Sequence, residues 1–416
     1  MPKSSTKTSL IPIYLAAFLD MLGIGIVIPI LAPLFLDPVN GAFPASYSFH
    51  EKSIILGILL AAYPFAQFFG APILGALSDR YGRKKVLIIS LLGTMVGYLL
   101  FASGIIYKNL LILFIGRLID GFTGGNVSTI NSVIADVSDE KSKPKNFGFV
   151  GMMFGLGFIL GPFIGGVLSD SKIFPWLGYS VPFWFCALLT LVNIILVVLL
   201  FKESLREKLH TPFNLFTGFV NINRAFKFKN LRTMFLVMFL LTFGFNLFTQ
   251  FFSVFLIRKF SLNQSEIGFL FAYIGIWVAI TQGGITRFIS KKIKPTKILP
   301  IAVLCLAVSL FVLIFPSRRF DLYFVLPMIA LFQGLIQPNA ISIVSNLGDS
   351  KSQGEIMGIN ESIRAVAVMV PPVVDGFLTS LDVSYPIIAA SVFTLLAWVI
   401  FVYFFNTHKY EKFNEL

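Results

Sequence analysis

Charge, polar surface and cysteine are what this chain lacks. Only 13% of its 416 residues are charged, against about 25% in an ordinary soluble globule, too few to clothe it in water. Three histidines and two cysteines argue against a metal centre, and none is expected. Cys186 and Cys305 both sit inside apolar runs, so no disulfide framework is implied. No G-x-x-x-x-G-K-[ST] loop is present to cradle a nucleotide phosphate. An enzyme is therefore not expected, nor is a cofactor. Acidic residues are scarcer than basic ones, 20 against 33, for a net charge of +13. A basic balance marks a nucleic-acid binder only when it forms one face of a soluble module. Here the bases sit in short connections between oily runs, so no nucleic-acid partner is expected.

What is there is hydrocarbon: 56% hydrophobic residues, with 47 Phe and 33 Gly, and a mean hydropathy of +0.85. That composition fits helices that face lipid and pack closely on one another. Runs of about 18 or more apolar residues read as membrane-spanning helices. Twelve are found, at 10–36, 53–77, 86–106, 109–135, 146–169, 181–201, 231–257, 266–289, 298–316, 321–347, 355–379 and 384–406; they are called spans 1 to 12. Span 1 is too long for a signal-peptide core and is followed by Asp37-Pro38 without a small-residue cleavage site, so it is expected to remain attached. The expectation is an all-α, multi-pass protein of the cell (inner or plasma) membrane, embedded in the lipid bilayer, without a soluble domain. A basic stretch divides it into an N-terminal six-span bundle (1–201), a cytoplasmic linker (202–230) and a C-terminal six-span bundle (231–416).

Orientation follows from counting. Of the 33 Lys and Arg, 24 fall in the two ends and the connections 2–3, 4–5, 6–7, 8–9 and 10–11, when Arg232 and Arg287 at the edges of spans 7 and 8 are counted with the connections they adjoin; seven fall in the opposite connections, and Arg117 and Arg364 lie deeper inside spans. Cytoplasmic loops carry the basic excess, so both termini are expected on the cytoplasmic side.

The connection between spans 2 and 3, GALSDRYGRKK (75–85), gathers five charges within seven residues. Orientation accounts for Lys84 and Lys85 but not for Asp79, nor for Gly75 and Gly82, which let backbone pass closely and turn sharply. A carboxylate between the Arg80 and Arg83 guanidiniums points to a hydrogen-bonded latch. The stretch resembles the signature G-x-L-[AS]-D-R-x-G-R-[KR]-[KR] of the major facilitator superfamily. The likeness continues in span 4, where GRLIDGFTGG supplies Gly116, Arg117 and Gly121. In span 5, GLGFILGPFIGG supplies Gly155, Gly157, Gly161, Pro162, Gly165 and Gly166. With LDMLGIGIVIPILAPL in span 1 and SVIADVSDE after span 4, residues 14–170 resemble the 12-helix drug:H⁺ antiporters, and the tetracycline exporters among them. The resemblance implies that Gly75, Asp79, Arg80, Gly82 and Arg83 form a cytoplasmic conformational latch stabilising an outward-facing state, with Asp136 as charge partner. It also implies that the small-residue face of span 5 lets the halves approach closely.

An internal repeat agrees with that architecture. A shift of 210 residues places Gly148 on Gly358, Pro162 on Pro372, Gly166 on Gly376 and Leu168 on Leu378, so spans 5 and 11 read as counterparts in two pseudo-symmetric bundles. Duplicated bundles of this kind hold substrate near the bilayer midplane.

Charges inside spans are costly, about 2.5–3.5 kcal/mol even on the lenient insertion scale, and face protein or water. Asp20 in span 1 and Arg117 and Asp120 in span 4 share a depth roughly 12–16 Å from their helix ends. Arg117 and Asp120, at i,i+3, can pair within one helix, either as packing or as part of a pathway. Asp20 has no basic neighbour in its own span, which makes it a proton-carrier candidate. In span 11, Glu361, Arg364 and Asp375 fall on one helical face about 21 Å long, a candidate water-accessible lining, with Asp375 near the interface. Proton-coupling candidates are therefore Asp20, Asp120 and Glu361. Arg117, Arg364, Gln67, Asn126, Asn246, Gln250, Gln333 and Gln337 are cavity candidates, although buried Asn and Gln also serve as helix–helix glue.

Tetracycline exporters also carry an acidic residue in span 3, another in span 9 and a histidine in span 8. This chain has Gly97 in SLLGTMVGYLL, no charge in ILPIAVLCLAVSLFVLIF, and Trp277 and Gln282 without histidine in span 8. Tetracycline is therefore not the expected substrate. The expected function is proton-coupled export of a small amphiphilic compound or drug by alternating access, the protein acting as a monomer. The alternative is a proton-coupled carrier, importer included, of a specific metabolite or siderophore.

Overall fold

The computed structural model describes residues 9–37, 41, 46–139, 142–205, 217–228, 231–289, 292–347 and 353–407. Among them there is no strand, and twelve helical stretches are long and apolar enough to cross a membrane. The helices are α1 (Ile11–Leu36), α2 (Phe49–Tyr81), α3 (Arg83–Ile106), α4 (Leu110–Thr123), α5 (Val127–Val137), α6 (Lys143–Ser169), α7 (Val181–Leu200) and α8 (Thr217–Ala225). They continue with α9 (Arg232–Phe260), α10 (Gln264–Ile280), α11 (Thr286–Ile289), α12 (Pro295–Val312), α13 (Leu322–Leu347), α14 (Gln353–Met369), α15 (Pro371–Leu381) and α16 (Tyr385–Thr407). The twelve apolar runs each become a span, because without water every backbone N–H and C=O must be satisfied within the segment, which helices do.

Four local features depart from the simple hydropathy reading. GALSDRYGRKK, expected as a loop, is helical except at one residue: α2 runs to Tyr81, Gly82 turns at φ +107° and α3 starts at Arg83. Span 11, expected as one helix with a continuous polar face, is broken at Val370 between α14 and α15, because Pro371 and Pro372 open a new helix. Span 4 passes through a tight turn at Gly124–Asn126, and span 8 through a π-helical turn at Thr281–Ile285. The 202–230 stretch contains α8; residues 206–216 and 229–230 of it lie outside the described residues.

The chain packs into two compact units, Met1–Ile30 with Ala62–Thr217, and Leu31–Ala61 with Gly218–Leu416. In the first, α3 packs on α4 and α7, around a core that includes Ile13, Ala17, Leu87, Leu91, Val133 and Val197. The α6 helix lies against α1 along a stripe of glycines spaced by four. A Cβ on Gly157 would come within 2.9 Å of Leu22 N, one on Gly161 within 2.8 Å of Leu22 O, and one on Gly165 within 2.7 Å of Ile26 O. Pro162, beside them, lies 2.8 Å from where a Cβ on Gly25 would sit, and Gly166 is buried. Small residues let the two backbones touch. The small-residue stripe of span 5 thus seats α6 on α1 within the first unit.

In the second unit α9 packs on α16, α14 and α15, and α12 packs on α13 and α16. The α7 face bearing Leu188, Val192, Ile195 and Leu199 is exposed and wholly apolar, as lipid requires, whereas charged side chains are found in the interior.

Candidate functional site

The intramembrane charges of the first unit converge. Asp20, Arg117, Asp120 and Asn126 are 4%, 5%, 5% and 0% exposed. Arg117 Nη1 lies 3.6 Å from Asp120 Oδ2 within α4, and its guanidinium sits 4.7 Å over the Tyr63 ring of α2. Asp20, on α1, is close enough to Asp120 for the two carboxylates to interact electrostatically, and Asn126 lies beside it. Two acids and one base in a dry interior are an unbalanced set. Among the described residues, Asp20 Oδ2, Arg117 Nε and both amide atoms of Asn126 have no partner within hydrogen-bond geometry. Gln67, one turn from Tyr63, donates to Gly124 O at 3.0 Å and thereby reaches the turn that presents Asn126.

Glycine shapes the same cluster. A Cβ at Gly97 would lie 2.8 Å from Asp120 Cβ and 3.0 Å from Asp120 N, so the bare α-carbon of α3 is what admits the α4 carboxylate. On α1, Gly23 leaves room for the Tyr98 hydroxyl. Tyr63 and Tyr98, 5% and 3% exposed, complete the cluster. The sequence reading missed both, because tyrosine in an apolar run has no signal separating a site from ordinary packing.

The 75–85 signature forms a second charged cluster. Its centre is Arg83, 6% exposed. The guanidinium pairs with Asp79 through Nη1, with Asp136 through Nε at 3.0 Å, and donates to Ser78 Oγ at 2.6 Å. The Arg83 guanidinium thus lies between two carboxylates, Asp79 of its own signature and Asp136. Arg80 sits over the Tyr81 ring at 5.3 Å, and Gly75 faces Ser128 Oγ of α5. Sequence reasoning missed Glu203, at the end of span 6. It accepts from Arg83 N at 2.9 Å, Lys84 N at 3.1 Å and Leu205 N at 3.0 Å, capping α3 where Gly82 has no side chain to do so. Ser204 donates to Asp136 Oδ2 at 3.2 Å.

In the second unit Glu361 and Arg364 pair with each other at 2.9 Å, their side chains 62% and 49% exposed. Asp375 is 0% exposed, sealed by protein. The break at Val370 separates it from that pair, so the three do not form one lining. Asn246 donates to Thr242 O of its own helix at 2.9 Å. Gln250, Gln333 and Gln337 are half-buried, and no hydrogen bond joins these four to one another. Among the described residues there is no His/Cys/Asp/Glu group arranged to hold a metal.

The family model described as the Major Facilitator Superfamily matches residues 13–369. The chain is 30% identical over 383 residues to the class H tetracycline resistance protein of Pasteurella multocida, with 91% of this chain and 90% of that protein covered. It is 25% identical over 389 residues to multidrug resistance protein 2 of Bacillus subtilis (strain 168), covering 92% of each. Among solved structures, the human organic anion transporter MFSD10 superposes with a TM-score of 0.69 at 22% identity, covering 94% of this chain and 98% of that one. That likeness speaks to the fold.

Proposed function

Because this chain belongs to the Major Facilitator Superfamily of transporters, we propose that it exports small amphiphilic compounds across the plasma membrane in exchange for protons. The observation that carries the reading is the buried, unbalanced Asp20–Arg117–Asp120 cluster on spans 1 and 4. Burial disfavours an ionised carboxylate and hydration or a neighbouring cation favours it, so alternate access of water to this cluster loads and unloads a proton. Asp20 is the carrier. Arg117, tied to Asp120, supplies the positive charge that expels the proton when a cationic substrate or water enters. Proton and substrate compete for one set of oxygens, so each leaves as the other arrives. The site is exposed to each side of the membrane in turn.

The cluster around Arg83 acts as the latch of one of these states, with both termini cytoplasmic and the protein working as a monomer. Neither a cofactor nor a covalent step is needed. The relatives named for tetracycline resistance do not extend that substrate to this chain: the span 9 acid and span 8 histidine are missing. A specific carrier of zwitterionic metabolites is the second reading, favoured by the accessible Glu361–Arg364 pair, which offers one charge of each sign.

The test is internal pH in proteoliposomes under an imposed proton gradient, with cationic dyes, tetracyclines and siderophores as probes. Probe-evoked proton release that is lost in Asp20→Asn while protein yield is kept is expected. Probe moving in the same direction as the proton would make the protein an importer, and probe flux without proton movement would end the coupling mechanism.

A further inference from the structure

One intramembrane carboxylate belongs to none of the arrangements above. Asp375, on α15, is 0% exposed, and among the described residues neither of its oxygens has a hydrogen-bond partner. Thr379, four residues on and therefore on the same helix face, is 1% exposed with its Oγ1 equally unpartnered. Three polar atoms are thus sunk together into the second unit.

Among the described residues no basic group forms an ion pair with Asp375. A Cβ on Gly376 would come within 2.8 Å of Ser53 O, so the α2 backbone lies directly on α15. Of the charged groups on that part of α2, Glu51 accepts from Ser48, His50 is exposed, and buried Lys52 makes no ion pair with Asp375. On α9, Arg258 lies over the Phe49 ring at 4.0 Å, Lys259 donates to Ile314 O, and Arg232 is at the far end. On α14, Glu355 pairs with Arg224 and Glu361 with Arg364. The titratable groups of α16 among the described residues are Tyr385 and Tyr403, 45% and 71% exposed.

The internal repeat sharpens the point. The shift that sets Pro162 on Pro372 and Gly166 on Gly376 sets Gly165 on Asp375, and Gly165 is a bare α-carbon pressed against α1. Close helix packing wants no side chain at this position, yet the second unit carries a carboxylate there. Ionised and without a counter-charge it would be far costlier to bury than as a neutral acid, which carries no net charge.

We propose that Asp375, with Thr379 beside it, is a second proton-binding site of the transport cycle, holding its proton in the state described and releasing it to water when α15 becomes hydrated. The step is ionisation alone: the carboxylic O–H breaks, its electron pair stays on oxygen, and the proton passes to water. This deepens the proton-coupled reading and rests on it, and the test reads the two separately. Infrared difference spectra of the reconstituted wild-type protein, titrated through pH without any transported probe, are expected to contain a neutral-carboxyl C=O band that disappears reversibly on raising pH. The band should be missing in Asp375→Asn, which keeps the side-chain volume, and present but shifted in Asp375→Glu. A spectrum identical in wild type and Asp375→Asn overturns the proposal, as does a band removed by sodium at constant pH, which would mark a metal-cation site. In ethidium-loaded proteoliposomes the protons moved per ethidium should fall by one in Asp375→Asn; an unchanged ratio also overturns it. Wild-type ethidium flux without protons would instead remove the general coupling reading, while the band still reports whether Asp375 binds a proton.

Discussion

At Gly97 a missing side chain is informative. The acid that tetracycline exporters carry in span 3 has no room here, because Asp120 of the neighbouring helix occupies the space that a Cβ would need, 2.8 Å away. Gly97→Asp is therefore expected to lower stability by about 1–3 kcal/mol through overpacking, read as a fall in thermal midpoint of the detergent-purified protein. The double variant Gly97→Asp/Asp120→Gly, which exchanges the two side chains, is expected to recover most of that loss. Asp20, Arg117 and Asp120 were legible in the sequence because a charge in an apolar run is costly and therefore rare. The family resemblance supplied Asp136 as a charge partner of the 75–85 signature, but that Arg83 is the residue holding both Asp79 and Asp136, and that Asp375 would be sealed from solvent, was not legible. Both depend on which neighbouring helix fills the space around a side chain, and spacing along one helix is silent about that.

Among the elements, the ends and the tight crossings carry the specificity. Glu203 caps α3 across 120 residues of sequence. Glu203→Ala is expected to fray the first turn of α3, costing roughly 1 kcal/mol as other lost caps do and speeding amide hydrogen exchange at Arg83 and Lys84. Glu203→Gln, which keeps an acceptor oxygen, should lose less. On α6, Gly161→Val is expected to cost about 1–3 kcal/mol by forcing the helix off α1. Gly155→Ala, at a position with nothing within 4 Å, should leave the thermal midpoint unchanged, and the pair of variants separates packing from helix propensity. The spans themselves were readable because lipid allows so few backbone solutions. The break at Val370 was also available, in the Pro371-Pro372 dipeptide, but a hydropathy window averages over it. The Glu203 cap left no trace, since a glutamate after a span reads equally well as an ordinary solvated end.

For the whole molecule, the basic residues make the first prediction. With 24 of 33 Lys and Arg on one side, a fluorescent reporter fused after Leu416 is expected to fluoresce in cells. A secreted phosphatase fused at the same point should stay inactive, and the reverse pattern would invert the orientation. Mechanically, the passage from span 2 to span 3 is a welded corner more than a joint. One residue, Gly82, is all that separates two long helices, and the Glu203 carboxylate is wedged into the angle. Spans 2, 3 and 6 are thereby fastened at a single point. A single side chain beyond span 6 thus governs the start of span 3, and the Arg83 guanidinium lies at the centre of that fastening.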